Sequence, residues 1–348
     1  MFLSSILFLL FVSCKISFAN YTVVFHSGES GYFCVRIPSI LTTSSGTLLA
    51  FGEGRLFNCN DDTAIDIVYK RSSDNGKTWS DLKILYRGNE TNGTYTRLGN
   101  FAPIQLKLTE RILVPFTKNV QLLMQTYSDD DGLTFSKPEI IPNVAKPEWK
   151  RFALGPPSGL LLQSNRLLVP GGYSTVGGSF FSTFVMLNDH NGQVDKWYLG
   201  GDISIDMYHS NEAQAVELLP TANSIFINSR SNSTFRIGSY SDDGGLTFKK
   251  IKLLNTLIEP PGGCEGSTIY HENTRQLFYT GLGVRTSART NLSMYVSQDQ
   301  GENWTFIKSI WPGPSAYSSL TTLKDDSIGV LFEAGTKGPY ESLLFSII

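Results

Sequence analysis

The stretch Ser72-Ser73-Asp74-Asn75-Gly76-Lys77-Thr78-Trp79 recurs along the chain. Residues 128–135 and 241–248 keep its first serine, its aspartate, its glycine, its threonine and a closing aromatic, and residues 297–304 differ by Asn303 in place of the threonine. The copies start 56 (72 to 128), 113 (128 to 241) and 56 (241 to 297) residues apart, so the middle interval holds two periods. A worn copy fits between them, around Asn188-Asp189-His190-Asn191-Gly192. Self-similarity at such a period marks a repeat architecture, in which each unit needs its neighbours to bury its apolar faces.

The motif's own chemistry is that of a turn. Gly76 can take a positive φ at no steric cost, and the Ser72 and Asp74 side chains can bond nearby amides. A calcium loop is the sharper rival, because Asp129-Asp130-Asp131-Gly132 is acidic. With Gly132 at position six, however, Tyr127 falls first and Pro138 twelfth, where ligands are required. The motif is a fold signal.

No segment sustains a helical period. What repeats is a pair of short apolar strands about a polar turn. The pairs are residues 37–41 with 47–51, 103–108 with 111–116, 158–163 with 166–170, 213–219 with 224–228, 267–270 with 276–280, and 318–323 with 327–332. Six such hairpins, each followed by a second one carrying the motif turn, predict an all-β six-bladed β-propeller. Ring closure would protect the strand edges, with residues 342–347 pairing to 21–25.

Composition excludes several partners. Among 348 residues, 29 Lys and Arg face 31 Asp and Glu, so no basic field exists to hold nucleic acid or an anionic membrane. The four histidines are scattered and never stand at ligand spacing from cysteines, so neither a metal nor a cofactor is expected. The apolar run 6–12 followed by Ser17-Phe18-Ala19 reads as a signal peptide over 1–19, too short to span a bilayer. The mature chain, 20–348, is then expected to be one propeller domain without a transmembrane segment. It would be secreted or lumenal, with lysosomal delivery as the alternative. Cleavage leaves Cys34, Cys59 and Cys264, which permit one disulfide and one free thiol, or none. Sequons at Asn20, Asn89, Asn92, Asn232, Asn291 and Asn303 make a glycoprotein the expectation.

Strand direction sorts the remaining residues. In antiparallel blades, the residue before strand one and the residue after strand two share a rim. Arg36, Asn100, Glu212 and Tyr317 precede first strands, while Glu53, Arg55, Asp61, Arg230, Arg289 and Glu333 follow second strands. Trp311 and Tyr173 read as core or rim packing. Arginines converging with carboxylates at one mouth suggest an anion site, since guanidinium forks hold a carboxylate better than lysines do. If that carboxylate sits on the anomeric carbon of an acidic sugar, an Asp or Glu nucleophile is repelled by it. A phenol whose proton passes to a nearby carboxylate avoids the repulsion, and Tyr317 with Glu212 fits. Asp61 suits the separate acid that protonates the leaving oxygen, and its spacing to Ile67-Val68 favours it over Asp62.

At this point the chain resembles the sialidase (neuraminidase) superfamily along nearly its whole mature length. Arg36-Ile37-Pro38 looks like the family's Arg-Ile-Pro motif, and the repeats look like its Asp boxes. The resemblance implies that Arg36, Arg230 (in Asn228-Ser229-Arg230) and Arg289 (in Arg289-Thr290-Asn291-Leu292) form a carboxylate triad. It implies that Asp61 is the acid/base, that Glu212 and Tyr317 are the nucleophilic pair, and that Glu333 steadies the first arginine. Arg55 and Asn100 match sugar-contacting positions. Two departures touch no catalytic role: Cys34-Val35 leads into the Arg-Ile-Pro motif, and Cys264-Glu265-Gly266 carries Glu where relatives often have Gln. The implied activity is retaining exo-α-sialidase hydrolysis of terminal α-linked sialic acid on glycoproteins, gangliosides and oligosaccharides. A trans-sialidase or a hydrolase of deaminated sialic acid is the runner-up. An inactive sialic-acid lectin is disfavoured because Tyr317, Glu212 and Asp61 are all present.

Overall fold

A computed structural model describes residues 21–88, 95–175, 181–204 and 208–348. The expected leader and the sequons at Asn20, Asn89 and Asn92 lie outside the described residues. Among those described, the chain is all-β apart from two short 3-10 turns, Glu29–Gly31 and Val194–Lys196, and no helix is long and apolar enough to cross a membrane.

Four sheets are discrete blades in a propeller-like arrangement. The first holds Cys34–Thr42, Leu48–Arg55, Ile65–Ser72 and Lys83–Tyr86. The second is built on Ile112–Lys118 and Leu122–Ser128, the third on Leu167–Thr175 and Ser182–Asn188. The fourth runs Ala213–Glu217, Ile225–Ser229, Phe235–Ser241 and Lys250–Ile258. The fifth sheet departs from the expectation of six separate blades, because it has seven strands. Its Thr305–Thr322 strand is 18 residues long, pairing first with Thr290–Ser297 and then with Ile328–Ala334. Pro312 and Pro314 fix their own φ and favour extended neighbours, so the connection never leaves the strand region. Tyr21–His26 completes this sheet beside Ser342–Ile347, running from Tyr21 opposite Ser346 to His26 opposite Ser342 with a register shift between Val23 and Phe25.

The innermost strand of each blade has no partner on its axial edge, and its amides must still be satisfied. Side chains from neighbouring blades do this. Ser319 Oγ accepts from Ile40 N at 3.0 Å, Ser267 Oγ from Leu320 N at 2.9 Å, and Gln214 Oε1 from Thr268 N at 2.6 Å. Glu217 Oε2 accepts from Gln163 N at 2.8 Å. These strands enclose an axial cavity of about 780 Å³, to which Ile40, Ile104, Leu160, Val216, Ile269 and Leu320 each contribute.

The motif turns sit at one end of the third strands and share one hydrogen-bond pattern. In the first copy, Ser72 Oγ donates to Asp74 Oδ1 at 2.8 Å and accepts from Gly76 N at 2.9 Å. Asp74 also accepts from Thr78 N at 2.9 Å and Thr78 Oγ1 at 2.6 Å. The worn copy keeps the shape: Asn188 Oδ1 accepts from His190 N at 2.8 Å and Gly192 N at 3.0 Å. Each motif glycine lies against the preceding blade. A Cβ on Gly76 would stand 2.2 Å from Phe345, and one on Gly132 2.7 Å from Leu49. Trp79 meets Phe345 edge-on at 5.7 Å, filling the seam between first and last blades.

These turns carry a pH signature. Hydrogen bonds from Thr78 hold the Asp74 carboxyl at about 2, and the equivalent bonds, opposing a burial effect, do the same for Asp130 and Asp243. A folded pKa below the unfolded one gives stability that is present above about pH 4 and lost as pH falls toward 2. Thermal unfolding should therefore show a Tm that is level near neutrality and falls below about pH 4. Asp74→Ala should cost about 1–2 kcal/mol at pH 7, with turnover per folded molecule retained, because the turn lies at the far end of its strand from Asp61. Equal melting temperatures with reduced turnover would contradict this.

Candidate active site

At the opposite rim, a cleft of about 290 Å³ is lined by Arg55, Asp61, Asn100, Glu212, Arg230 and Tyr317, with Arg97, Arg151 and Phe181 on its walls. Arg36, Arg289 and Glu333, expected at the same mouth, stand around Tyr317.

Two backbone irregularities bring these groups together. The register of the first hairpin slips between Arg36 and Ser39, and that of the last between Ser315 and Ser318. A bulge re-aims side chains but strips ladder partners from nearby amides. Glu333 replaces them. Its Oε1 accepts from Ile37 N at 3.1 Å, and its Oε2 accepts from Tyr317 N at 3.1 Å. The same carboxylate takes Arg36 Nε at 2.9 Å and Nη2 at 3.3 Å. Ile37, in the Arg-Ile-Pro segment, has φ 57°, an uncommon state for a β-branched residue held here by its amide contact. Glu53 plays a similar part: Oε1 accepts from Asn100 N at 3.2 Å, and Oε2 from Arg55 Nη2 at 2.7 Å.

Tyr317 is 6 % exposed and centres the constellation. Its hydroxyl donates a short hydrogen bond to Glu212 Oε1, and Arg230 Nη1 reaches its oxygen at 3.0 Å. Arg230 Nη1 also binds Glu212 Oε2 at 2.6 Å. The guanidinium carbons of Arg36 and Arg289 each lie 5.4 Å from the Tyr317 ring centre. All three expected arginines thus surround one phenol. Burial and then the Glu212 charge raise its pKa well above the ordinary tyrosine value, against Arg230 and Arg289. It becomes a nucleophile only if a partner takes its proton, and Glu212 is already in contact.

Asp61, expected as the acid that protonates the leaving oxygen, has its pKa lowered. Burial acts to raise it and is outweighed by Arg55, Arg36 and Arg289. Its Oδ1 lies 2.9 Å from Arg55 Nη1 and 3.7 Å from Arg36 Nη1, while its side chain is 77 % exposed. Sequence position alone could not reveal that two arginines would hold this carboxylate. Cys34 pairs with Cys59, Cα atoms 5.9 Å apart, tying the Asp61 loop to the first strand. Cys264 is free and buried, and burial pushes its thiol up to about 12, far from the thiolate that reactivity requires.

Of two further neighbours, Tyr340 was not singled out from sequence, and Glu265 was noted there only as a departure. Tyr340 lies under Arg36, ring centre 3.9 Å from the guanidinium carbon, and receives Arg289 Nη1 on its hydroxyl at 3.0 Å. The loop after the second strand of its blade belongs to the same rim as Glu333, so the strand-direction rule contained the signal. Glu265 Oε2 accepts from Ser318 N at 2.9 Å, while Oε1 is buried without a hydrogen-bond partner. Burial raises the Glu265 pKa well above the ordinary value, with the Glu212 charge adding to it, so the neutral acid is favoured. Among the described residues, no cluster of three or more His, Cys, Asp or Glu is placed to hold a metal ion.

Comparison with known proteins places this geometry. A family model described as a BNR repeat-like domain matches residues 46–330. A sialidase of Micromonospora viridifaciens is 26 % identical over 346 residues, covering 89 % of this chain and 51 % of that one, so the chain spans about half of that protein's length. Mouse Sialidase-3 is 26 % identical over 399 residues, covering 94 % of this chain and 93 % of that one. Among solved structures, the Hadza microbial sialidase Hz136 aligns with a TM-score of 0.83 at 24 % identity, covering 94 % of this chain and 68 % of that one.

Removing Glu333 leaves a buried guanidinium and two buried amides without acceptors. Glu333→Ala should lower unfolding free energy by about 3–5 kcal/mol in denaturant titration, with Glu333→Gln falling between it and wild type. A variant as stable as wild type would show that the four bonds contribute nothing net.

Proposed function

The chain belongs to the BNR repeat-like family and the sialidase superfamily of glycoside hydrolases, and on that premise we propose that it is an exo-α-sialidase working with retention through a tyrosyl intermediate. The observation that carries the reading is the single phenol, Tyr317, bonded to Glu212 and ringed by Arg36, Arg230 and Arg289. The three arginines would take the sugar carboxylate by charge-assisted bonds. Asp61 protonates the glycosidic oxygen as the bond to the anomeric carbon breaks. Tyr317 oxygen bonds to that carbon while its proton passes to Glu212, consistent with tyrosine nucleophiles being a recognised departure from paired-carboxylate glycosidases. Asp61, now ionised, then takes a proton from water, whose oxygen bonds to the anomeric carbon and displaces Tyr317, which takes its proton back from Glu212 as the starting anomer is restored. Arg55 and Asn100 hold the rest of the sugar, and Glu333 keeps Arg36 in place.

Terminal α-linked sialosides on proteins, lipids and oligosaccharides are the proposed substrates. We count the architecture as six blades by dividing the seven-stranded sheet at Pro312–Pro314, a reading supported by six inner strand segments around the axial cavity. Residues 20–348 are read as one catalytic domain. The Cys34–Cys59 pairing supports a secreted or lumenal location, since disulfides persist in oxidising compartments.

Tyr317→Phe tests the nucleophile. On a fluorogenic α-sialoside its turnover should fall about a thousandfold or more while the protein stays folded. Near wild-type turnover would refute the assignment, and a sialylated product formed with added sugar acceptor would redirect it to transfer. The ionisation of Asp61 generates a second expectation. The acid form is scarce in the free protein, but substrate carboxylate on Arg36 and Arg289 offsets their effect and raises the Asp61 pKa. Because kcat/KM reports the free protein and kcat the complex, the fall of kcat with rising pH should lie at higher pH than that of kcat/KM. Coincident limbs would count against Asp61 as the acid.

A further inference from the structure

Phe57 and Tyr95 are large aromatics left in solvent, 55 % and 43 % exposed, with ring centres 5.1 Å apart and planes at 58°. Exposed aromatics paired across two loops are unusual on a surface with nothing to bind. Their position gives them meaning. Phe57 follows Arg55 on the loop that leads through Cys59 to Asp61, and its amide bonds Thr63 Oγ1 at 3.3 Å on the far side of that loop. Arg55 Nη1 holds the loop's middle through Cys59 O at 2.5 Å, and the Cys34–Cys59 disulfide anchors it. Tyr95 stands two residues before Arg97, which lines the cleft and pairs with Asp62. Thr96 O accepts from Ile65 N at 3.2 Å, fixing this segment beside the strand that follows Asp61. Two separately anchored segments, one of them the Asp61 loop, therefore bring the rings together.

We propose that Phe57 and Tyr95 form a stacking platform for the leaving-group sugar, setting preference for substrates whose penultimate unit is a pyranose with an apolar C–H face. This rests on the reading of Asp61 as the acid. A group that protonates the glycosidic oxygen faces the leaving side of the bond, so whatever follows the cleaved sugar must exit past the Asp61 loop. The two rings sit on the segments that carry Arg55, Asp61 and Arg97 into the cleft lining, and Arg97 pairs with Asp62 between those segments. Aromatic faces are the usual apolar complement in otherwise polar ligand sites.

The test compares two substrates on the full chain: a sialyllactose, whose leaving group is a disaccharide, and methyl α-sialoside, whose leaving group is methanol. Wild-type hydrolysis of the methyl glycoside checks the underlying sialidase reading by itself, and its absence would sink that reading separately. In Phe57→Ala and Tyr95→Ala, kcat/KM for sialyllactose should fall at least fivefold further than for the methyl glycoside, chiefly through KM. Phe57→Tyr, which keeps a ring, should retain the wild-type ratio, and thermal unfolding should be little changed in all three. Equal losses on both substrates would make the rings structural supports of the Asp61 loop and overturn the proposal. Undiminished sialyllactose hydrolysis in both alanine variants would overturn it as well.

Discussion

A single carboxylate, Glu333, ties this molecule together. It is fully buried and meets four donors: two from Arg36, the amide of Ile37 and the amide of Tyr317. A buried charge is costly unless its lone pairs are satisfied, and here they are satisfied by groups from two sheets that come from opposite ends of the sequence. The bonds that settle the charge therefore fix where the first and last parts of the chain meet. They also set an arginine and a tyrosine side by side at the mouth of the cleft.

The same logic repeats around the rim. A propeller's inner strands have one unpaired edge, and bulges at Arg36–Ser39 and Ser315–Ser318 add further unpaired amides. Elsewhere along the axis, serine, threonine and glutamine side chains and Glu217 fill the need. At the cleft the acceptors are carboxylates: Glu333 for Ile37 and Tyr317, Glu265 for Ser318, Glu53 for Asn100. These acids draw in guanidinium groups, which also suit an anionic ligand. Structural acceptors and the proposed binding groups form one network.

Much of this was legible in the sequence, and the reasons differ by level. The eight-residue motif reported turn chemistry, because serine, aspartate, glycine and threonine at those offsets satisfy one another locally. Even Asn188, which shares no letter with Ser72, reproduces the turn by offering an oxygen in the same place. Alternating strands then assigned residues to rims, bringing Arg36, Glu212, Arg230, Arg289, Tyr317 and Glu333 to one mouth. Less legible was anything decided by distance between side chains. The protonation state of Asp61 depends on its 2.9 Å approach to Arg55, and the role of Tyr340 on its stacking under Arg36. The seven-stranded sheet was not foreseen, because hairpin spacing separates the blades whereas Pro312 and Pro314 lie within one continuous extended segment.

That long strand has a mechanical consequence. Arg289 flanks the Thr290–Ser297 strand, and its carbonyl accepts from Ser315 N at 3.0 Å, two residues before Tyr317 on the continuous strand. Tyr317 and Arg289 are thus mounted on one sheet, and Tyr21–His26 pairs along its far margin. Asp61 rides on a loop held by a disulfide and a few polar bonds. If the proposed chemistry needs travel to admit a substrate and release a product, the Asp61 side of the cleft is the less firmly mounted one, so the geometry divides the site into an anvil and a hammer.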